Sequence, residues 1–261
     1  MTFLSVPISS TGQAPLASLT PALTQYREIE ERLPFTVRLV HDEPTLHKAV
    51  QIRQSAYARH LPDVARGMET PESMDTQDGV AVLLAESKVD GSPLGTVRLQ
   101  TNAWQPLALE KAIELPSWLQ GKRLAHVSRL GVAQGHTGRL VRLMLFKGLF
   151  MYWKLHQIDW AVVAAREPLD RMYQQLLFQD VFPGEGFTPL PHMGNVPHRI
   201  MAFNVDTAFE RWKQAAHPLT QFIFYTYHPD LDVGELGPAH YLHPNVSLKQ
   251  ELDAPVTTDL G

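Results

Sequence analysis

The stretch from Arg123 to Ala165 constrains the fold more than any other part of this chain of 261 residues. Arg123 to Val132 reads as a strand, and Gly135-His-Thr-Gly138 turns the chain into a long helix, roughly Arg139 to Leu155. That helix presents Leu140, Leu143, Met144, Phe146, Phe150 and Met151 as one apolar face. Asp159-Trp-Ala-Val-Val-Ala-Ala165 follows as a compact apolar run of the kind buried at a sheet centre. A strand, a glycine turn, a long amphipathic helix and a buried strand predict a sheet with helices packed upon it.

The flanks extend the pattern. Pro21 to Leu33 reads as a short charged helix, and Phe35 to Val40 alternates like a half-buried strand. Pro44 opens a helix through about Arg59, with Leu46, Ala49, Val50, Ile52, Arg53 and Tyr57 at helical spacing. After a polar loop from His60 to Gly79, Val80–Ala85 and Leu94–Leu99 form a hairpin across Asp90-Gly-Ser-Pro93. A helix from Pro168 to Phe178, a strand from Arg199 to Val205 and a helix from Thr207 to Ala216 complete the order. The expected fold class is α/β (α+β), a mixed central sheet with helices on both faces. Residues 1–34 form an N-terminal extension, 35–216 the main domain, and 217–261 a C-terminal extension without clear periodicity.

Composition excludes several chemistries. A net charge of −4 argues against a nucleic-acid binder, because phosphate neutralisation needs a basic surface. The absence of cysteine removes disulfides, thiolate zinc sites and cysteine nucleophiles. No run approaches the roughly 20 apolar residues that span a bilayer, and the first residues carry no secretory pattern, so a cytoplasmic setting is expected. His217, His228, His240 and His243 lack metal-ligand spacing with a carboxylate pair, and no metal is expected. The charge is uneven, however. From Leu115 to Ile158 there is no Asp or Glu, yet Lys122, Arg123, Arg129, Arg139, Arg142, Lys147 and Lys154 fall there. Such a basic stretch suits an acidic partner steered by complementary potential, or is a solvated helix face.

Four short segments carry a resemblance. Arg53 on the first helix, Asp75-x-x-Asp78 in the loop, Gly95-Thr-Val-Arg98 on a hairpin strand and Ser128-Arg129 on the next strand occur in that order. Together they resemble the acyl-homoserine lactone (autoinducer) synthases and, more closely, the related long-chain N-acyl amino acid synthases, over roughly residues 36–205. The resemblance implies a GNAT-like acyltransferase domain with no tightly bound cofactor. Three departures refine it. Autoinducer synthases carry an Arg, a Phe and a Trp at fixed spacing, whereas Arg53 here is followed by Tyr57 and no Trp precedes Trp104, which favours a free amino acid over adenosylmethionine as acceptor. His126 stands where those synthases have a Glu. Gln134-Gly-His-Thr-Gly138 departs from the phosphate loop of coenzyme-A-dependent GNAT enzymes, as in relatives that take the acyl-phosphopantetheine of an acyl carrier protein.

Acyl transfer from a thioester to an amine requires a base for the ammonium, stabilisation of an oxyanion and a means of holding both reactants. No covalent enzyme intermediate is needed, so a chain without cysteine can perform it. His126 is the candidate base, its alternative being a hydrogen-bonded core histidine. Tyr173 is the candidate acid for the leaving thiolate, its alternative a core aromatic. Main-chain N–H groups from Arg129 to Val132 are candidates for the oxyanion. Asp75 and Asp78, in a loop that also carries Glu69, Glu72 and Ser73, are expected to organise Arg53 and Arg98. Ser128 belongs to the same substrate-binding group, and Arg98 or Arg53 is expected to take the acceptor carboxylate. Lys122, Arg123, Arg139, Arg142 and Lys147 are the expected carrier-protein contacts. Trp104, Trp118, Phe146, Phe150, Met151 and Trp153 are candidates to line an acyl channel or to be core. The rival readings are an autoinducer synthase, a coenzyme-A-dependent acetyltransferase and a non-catalytic acyl-carrier or lipid-binding regulator.

Overall fold

The computed structural model describes residues 29–190 and 195–234. The chain runs through β1 (Ile29–Glu30), β2 (Phe35–Leu39), helix α1 (Glu43–Ala58) and the short α2 (Pro62–Ala65). α1 starts where Asp42 accepts the Thr45 main-chain N–H at 2.8 Å, with Pro44 in its first turn. A 3-10 turn at Ser73–Thr76 leads to the hairpin of β3 (Val80–Ser87) and β4 (Pro93–Thr101). There follow α3 (Ala108–Ala112), β5 (Leu124–Val132), α4 (Gly135–Leu155), β6 (Trp160–Ala165) and α5 (Leu169–Gln175). The remaining elements are β7 (Gln179–Asp180), β8 (Thr188–Pro189), β9 (Pro197–Asn204), α6 (Ala208–Gln214), α7 (Thr220–Phe224), β10 (Thr226–Tyr227) and β11 (Leu231–Asp232).

The main sheet has the order β11-β2-β3-β4-β5-β6-β9-β7, with β8 also paired to β9. Strands β2 to β5 are antiparallel, β5 and β6 are parallel, and β6 and β9 are antiparallel. The parallel pair exists because α4, of 21 residues and about 30 Å, carries the chain back to the start of β5 before β6 begins. Alternation along the strands then sorts the core. Val97, Leu99, Ala125, Val127, Ala161, Val163, Met201 and Phe203 meet α4 on one face. On the other, α1 covers Val82 and Leu84, and α3 lies with Leu124, Val162 and Ala202. This is the GNAT-like mixed sheet with helices on both faces.

Three segments differ from expectation. α4 begins at Gly135, so the glycines expected to precede the helix form its first turn. Gly138 is required there by contact: a Cβ at that position would lie 1.7 Å from the Ala133 carbonyl oxygen. Residues 29–33 of the expected charged helix are not helical, and Ile29 and Glu30 pair in parallel with Thr226 and Tyr227; the start of that helix lies outside the described residues. Finally, the unassigned stretch after His217 returns to the sheet, where β11 pairs in parallel with β2.

Lys147 fastens that return. Its ammonium, fully buried, donates to the Phe222 carbonyl at 2.7 Å and to the Thr226 carbonyl, and lies 3.0 Å from His228 Nδ1. The expectation that Lys147 contacts a carrier protein is therefore corrected, because its charge faces the interior.

Candidate active site

The site begins with one extra residue in β5. Thr96 pairs with Gly131, but Arg98 pairs with Ser128, so two residues of β5 oppose Val97. Arg129 absorbs the bulge at φ 57°, the left-handed region that a side chain with Cβ seldom adopts. The bulge also ends the pairing between β5 and β6. Leu124–Val127 pair with Trp160–Val163, whereas Ala164 and Ala165 pair only towards β9. Past Val127 the two parallel strands diverge, and the main chain of β5 borders a cleft.

Side chains from three distant segments fill the space behind the bulge. Arg53 of α1 forms a two-pronged pair with Asp75, Nη1 and Nη2 each 2.9 Å from a carboxylate oxygen. Arg98 of β4 donates from Nη1 to Glu72 at 2.8 Å and to Asp75 at 3.1 Å, and from Nε to the Ser128 hydroxyl at 3.3 Å. Arg129 grips Glu72 from the side at 2.7 and 2.6 Å. The 3-10 turn presents both acids, and Asp75 also accepts the Glu72 main-chain N–H at 2.9 Å. Burial by itself raises the Glu72 carboxyl, but the Arg129 hydrogen bond and the charges of Arg129, Arg98 and Arg53 outweigh it and hold it below its usual value. Asp75 is likewise held low, burial being overcome chiefly by Arg53. Three guanidiniums face two carboxylates, so the cluster carries one positive charge in excess.

The structure brings Arg53, Arg98 and Asp75 together, but leaves Asp78 outside their cluster and places Arg129, not Arg53 or Arg98, on the cleft wall. Asp78 is exposed and makes no hydrogen bond or ion pair among the described residues; Glu72 occupies the place expected for it. Glu72 stands three residues before Asp75 as Asp78 stands three after, and spacing alone treats the two alike. Nor can Arg53 or Arg98 readily receive a ligand carboxylate, since they are 1% and 4% exposed and already paired. Arg129 is the guanidinium of the cluster that lines the cleft.

Three cavities of different chemistry converge here. The cleft, of about 340 Å³, is lined by Tyr57, Ser128, Arg129, Arg166, Tyr173 and His198 among others. An apolar cavity of about 420 Å³ lies between α4 and α5, lined by Val97, Leu143, Phe146, Leu149, Met172 and Leu219 among others. A smaller one, of about 200 Å³, is bordered by Arg59, His60, Arg142 and Arg166. Leu130, the second residue of the bulge, lines all three. Tyr173 lines both larger cavities, and burial, with Tyr57 nearby, raises its hydroxyl above the ordinary value, so it is protonated at neutral pH.

The other expected residues divide. His126 is buried, paired in register with Gln100 and Val162, and lines neither the cleft nor the apolar cavity. His198 of β9, which no sequence pattern singles out, does line the cleft. Its Nδ1 lies 2.6 Å from the Val196 carbonyl, a hydrogen bond the ring makes with a proton on Nδ1. The basic stretch separates. Lys122 and Arg123 sit at the start of β5, Arg123 paired with Asp159 and Gln157, whereas Arg139 and Arg142 sit at the start of α4, about 30 Å along β5. Of the aromatic and Met candidates only Phe146 lines the apolar cavity; Trp104 is 72% exposed, Trp118 packs on Trp160 across the sheet, and Phe150, Met151 and Trp153 are core. His217 bonds the Gln175 carbonyl and His228 meets Lys147, while His240 and His243 lie outside the described residues. Among the described residues no group of three His, Asp or Glu side chains is placed to hold a metal ion, and no helix is long and apolar enough to cross a membrane.

Comparison with known proteins follows the same lines. No curated protein sequence matches the chain. The structure of FeeM, an N-acyl amino acid synthase from uncultured soil microbes, is similar at a TM-score of 0.56 and 18% identity, over 72% of this chain and 96% of that one. A coenzyme-A-dependent acyl-homoserine lactone synthase, BjaI, solved with SAM and isopentyl-CoA, is similar at 0.51 and 13%, over 74% and 93%. These likenesses establish the fold. The family model for the N-acyl amino acid synthase FeeM matches residues 48–204, a span that holds the charged cluster, the bulge and the diverging strands. With more than half of its length so matched, this chain belongs to the FeeM family of N-acyl amino acid synthases and is an acyltransferase.

Proposed function

We propose that the chain transfers a long-chain acyl group from the phosphopantetheine thioester of an acyl carrier protein to the α-amine of an amino acid. The observation that carries this reading is the meeting of three cavities at Leu130: one apolar, one cationic, one a cleft with both polar and apolar walls. An acyl chain suits the first, and a small zwitterionic acceptor suits the last. A thioester bridging them would lie against the β5 main chain.

The chemistry follows from that placement. The acceptor carboxylate is received by Arg129, whose orientation Glu72 fixes and behind which Arg53 and Arg98 add positive potential. The ammonium loses a proton to His198, and the free amine attacks the thioester carbonyl. His126, buried away from the cleft lining, is better suited to supporting the strand. Main-chain N–H groups of β5 beyond Val127 face the oxyanion. As the tetrahedral intermediate collapses, the C–S bond breaks, the Tyr173 hydroxyl protonates the thiolate, and the second proton of the attacking nitrogen passes to the tyrosinate, leaving an amide, a free thiol and a restored Tyr173. No tightly bound cofactor enters, and a chain without cysteine suits a reducing, cytoplasmic setting.

Mass spectrometry of lipid extracts from cells expressing the chain with a functional carrier protein tests the reading. A new N-acylated amino acid is expected. Its absence would sink the proposal, and consumption of adenosylmethionine with lactone formation would replace it by autoinducer synthesis.

A further inference from the structure

We propose that residues 217–219 close the far end of the apolar cavity and set the length of acyl chain it takes, with Leu219 meeting the end of that chain; this rests on the acyl reading of the cavity above. His217, Pro218 and Leu219 all line that cavity, and none of them borders the cleft or the cationic cavity. The end they occupy follows from α5. Tyr173 borders both the cavity and the cleft, whereas Leu176, almost one turn further along, borders the cavity and not the cleft. The Gln175 carbonyl, at that same end of α5, accepts from His217 Nε2 at 2.8 Å. The segment therefore lies at the end of the cavity remote from the thioester. It also lies beyond residue 204, where the match to the family ends.

Local structure fixes this wall. α6 ends in a Schellman turn, in which the His217 main-chain N–H reaches the Trp212 carbonyl at 2.9 Å and the Ala216 N–H the Lys213 carbonyl at 3.1 Å. Ala216 takes the left-handed position at φ 46°, where glycine is usual. The turn lays the His217 ring on Trp212, with centroids 4.0 Å apart, and Trp212 in turn stacks on Phe146 of the cavity lining. Two further hydrogen bonds tie α6 to the end of α5: Trp212 Nε1 donates to the Leu176 carbonyl at 3.2 Å, and Arg211 to the Leu177 carbonyl at 2.8 Å. Beyond the segment, Lys147 of α4 holds the Phe222 and Thr226 carbonyls. A wall anchored to both helices that flank the cavity yields little to a longer chain. Its inner face is apolar. His217 accepts the Leu219 main-chain N–H at Nδ1, 3.2 Å away, and uses Nε2 on Gln175, so both ring nitrogens are engaged within the protein, and Leu219 packs against the main core. Such an end suits an unsubstituted hydrocarbon terminus.

The test measures equilibrium binding by titration calorimetry on the full chain. The probes are acyl-pantetheine analogues with an amide in place of the thioester and unbranched chains from octanoyl to octadecanoyl. In the unaltered protein affinity should rise by about fourfold per methylene until the chain reaches Leu219, and then stop rising. Leu219→Ala should move that break to chains longer by about two carbons, and Leu219→Trp to chains shorter by about two or more. A break at the same length in both variants overturns the proposal, even if affinity falls throughout, and so does a series without length dependence in the unaltered protein. Should either variant fail to fold, Leu219→Val and Leu219→Phe should move the break in the same two directions, and an unmoved break in both again overturns it. Binding is read without turnover, which separates this inference from the reaction it rests on. A moved break with no N-acyl amino acid in the lipid extracts would keep the wall and remove the proposed reaction, whereas an N-acyl amino acid with an unmoved break would do the reverse.

Discussion

Arg129 holds Glu72 side-on, its Nε 2.7 Å from one carboxylate oxygen and its Nη2 2.6 Å from the other, across 57 residues of sequence. That contact ties the loop before β3 to the bulge in β5 and fixes the guanidinium that faces the cleft. The Glu72→Gln variant should therefore raise KM for the amino acid acceptor by about tenfold, while KM for the acyl donor changes little. Equal effects on both substrates in steady-state kinetics would remove Arg129 as the acceptor contact.

Asp75 in the 3-10 turn and Asp78 beyond it should differ sharply in what they contribute to stability. The Asp75 side chain is fully buried between Arg53 and Arg98, so Asp75→Asn leaves unbalanced buried charge and should cost about 3–5 kcal/mol in urea unfolding. Asp78→Asn, at an exposed position, should stay within about 0.5 kcal/mol. Similar losses for both would contradict the observed pairing.

Tyr173 stands at the wall between the apolar cavity and the cleft. Tyr173→Phe keeps the ring and removes the proton, and kcat should fall on the order of 10²-fold with little change in either KM. Thiol release from an acyl-phosphopantetheine donor provides the measurement. A kcat within twofold of the unaltered enzyme assigns the tyrosine to packing alone.

Leu149 lines the apolar cavity from α4. Leu149→Trp fills part of that space and should shift donor preference to shorter chains, raising KM for long-chain donors by at least about tenfold, as expected from several methylenes losing burial at about 0.8 kcal/mol each. An unchanged chain-length profile would place the acyl group elsewhere.

Burial pulls the Lys147 ammonium down to about 7 from 10.5, against a smaller opposing pull from Glu31. The folded state thus favours the neutral amine. Between about pH 7 and 10.5 the unfolded chain binds more protons, so stability rises with pH across that window; below it the lysine is charged in both states and adds no slope. With no cysteine to titrate in the same range, the melting temperature should climb from pH 7 to 9.5, and Lys147→Met should flatten the climb. Equal slopes in the two proteins would remove Lys147 as its source.

The sequence by itself determined the long strands and helices between β2 and α6 and their order. The α4 face, the apolar run of β6 and the Asp90–Pro93 turn are local patterns, and each appears within a few residues of where periodicity and turn chemistry predict it. Through one family resemblance it also brought forward Arg53, Asp75, Asp78, Arg98, Ser128 and Arg129. What only the tertiary structure decided was which of several chemically equal residues meet. Glu72 and Asp78 are indistinguishable in spacing, yet one turn of the loop aims Glu72 at Arg129 and leaves Asp78 exposed. His126 and His198 both lie on strands, and the divergence of β5 from β6 decides which of them borders the cleft. Seven basic residues within 44 positions read as one patch, but a strand and a helix each about 30 Å long carry them to opposite ends of the sheet. Local patterning is set by neighbours in the chain, whereas a site is set by side chains that strand register and divergence bring together from distant positions.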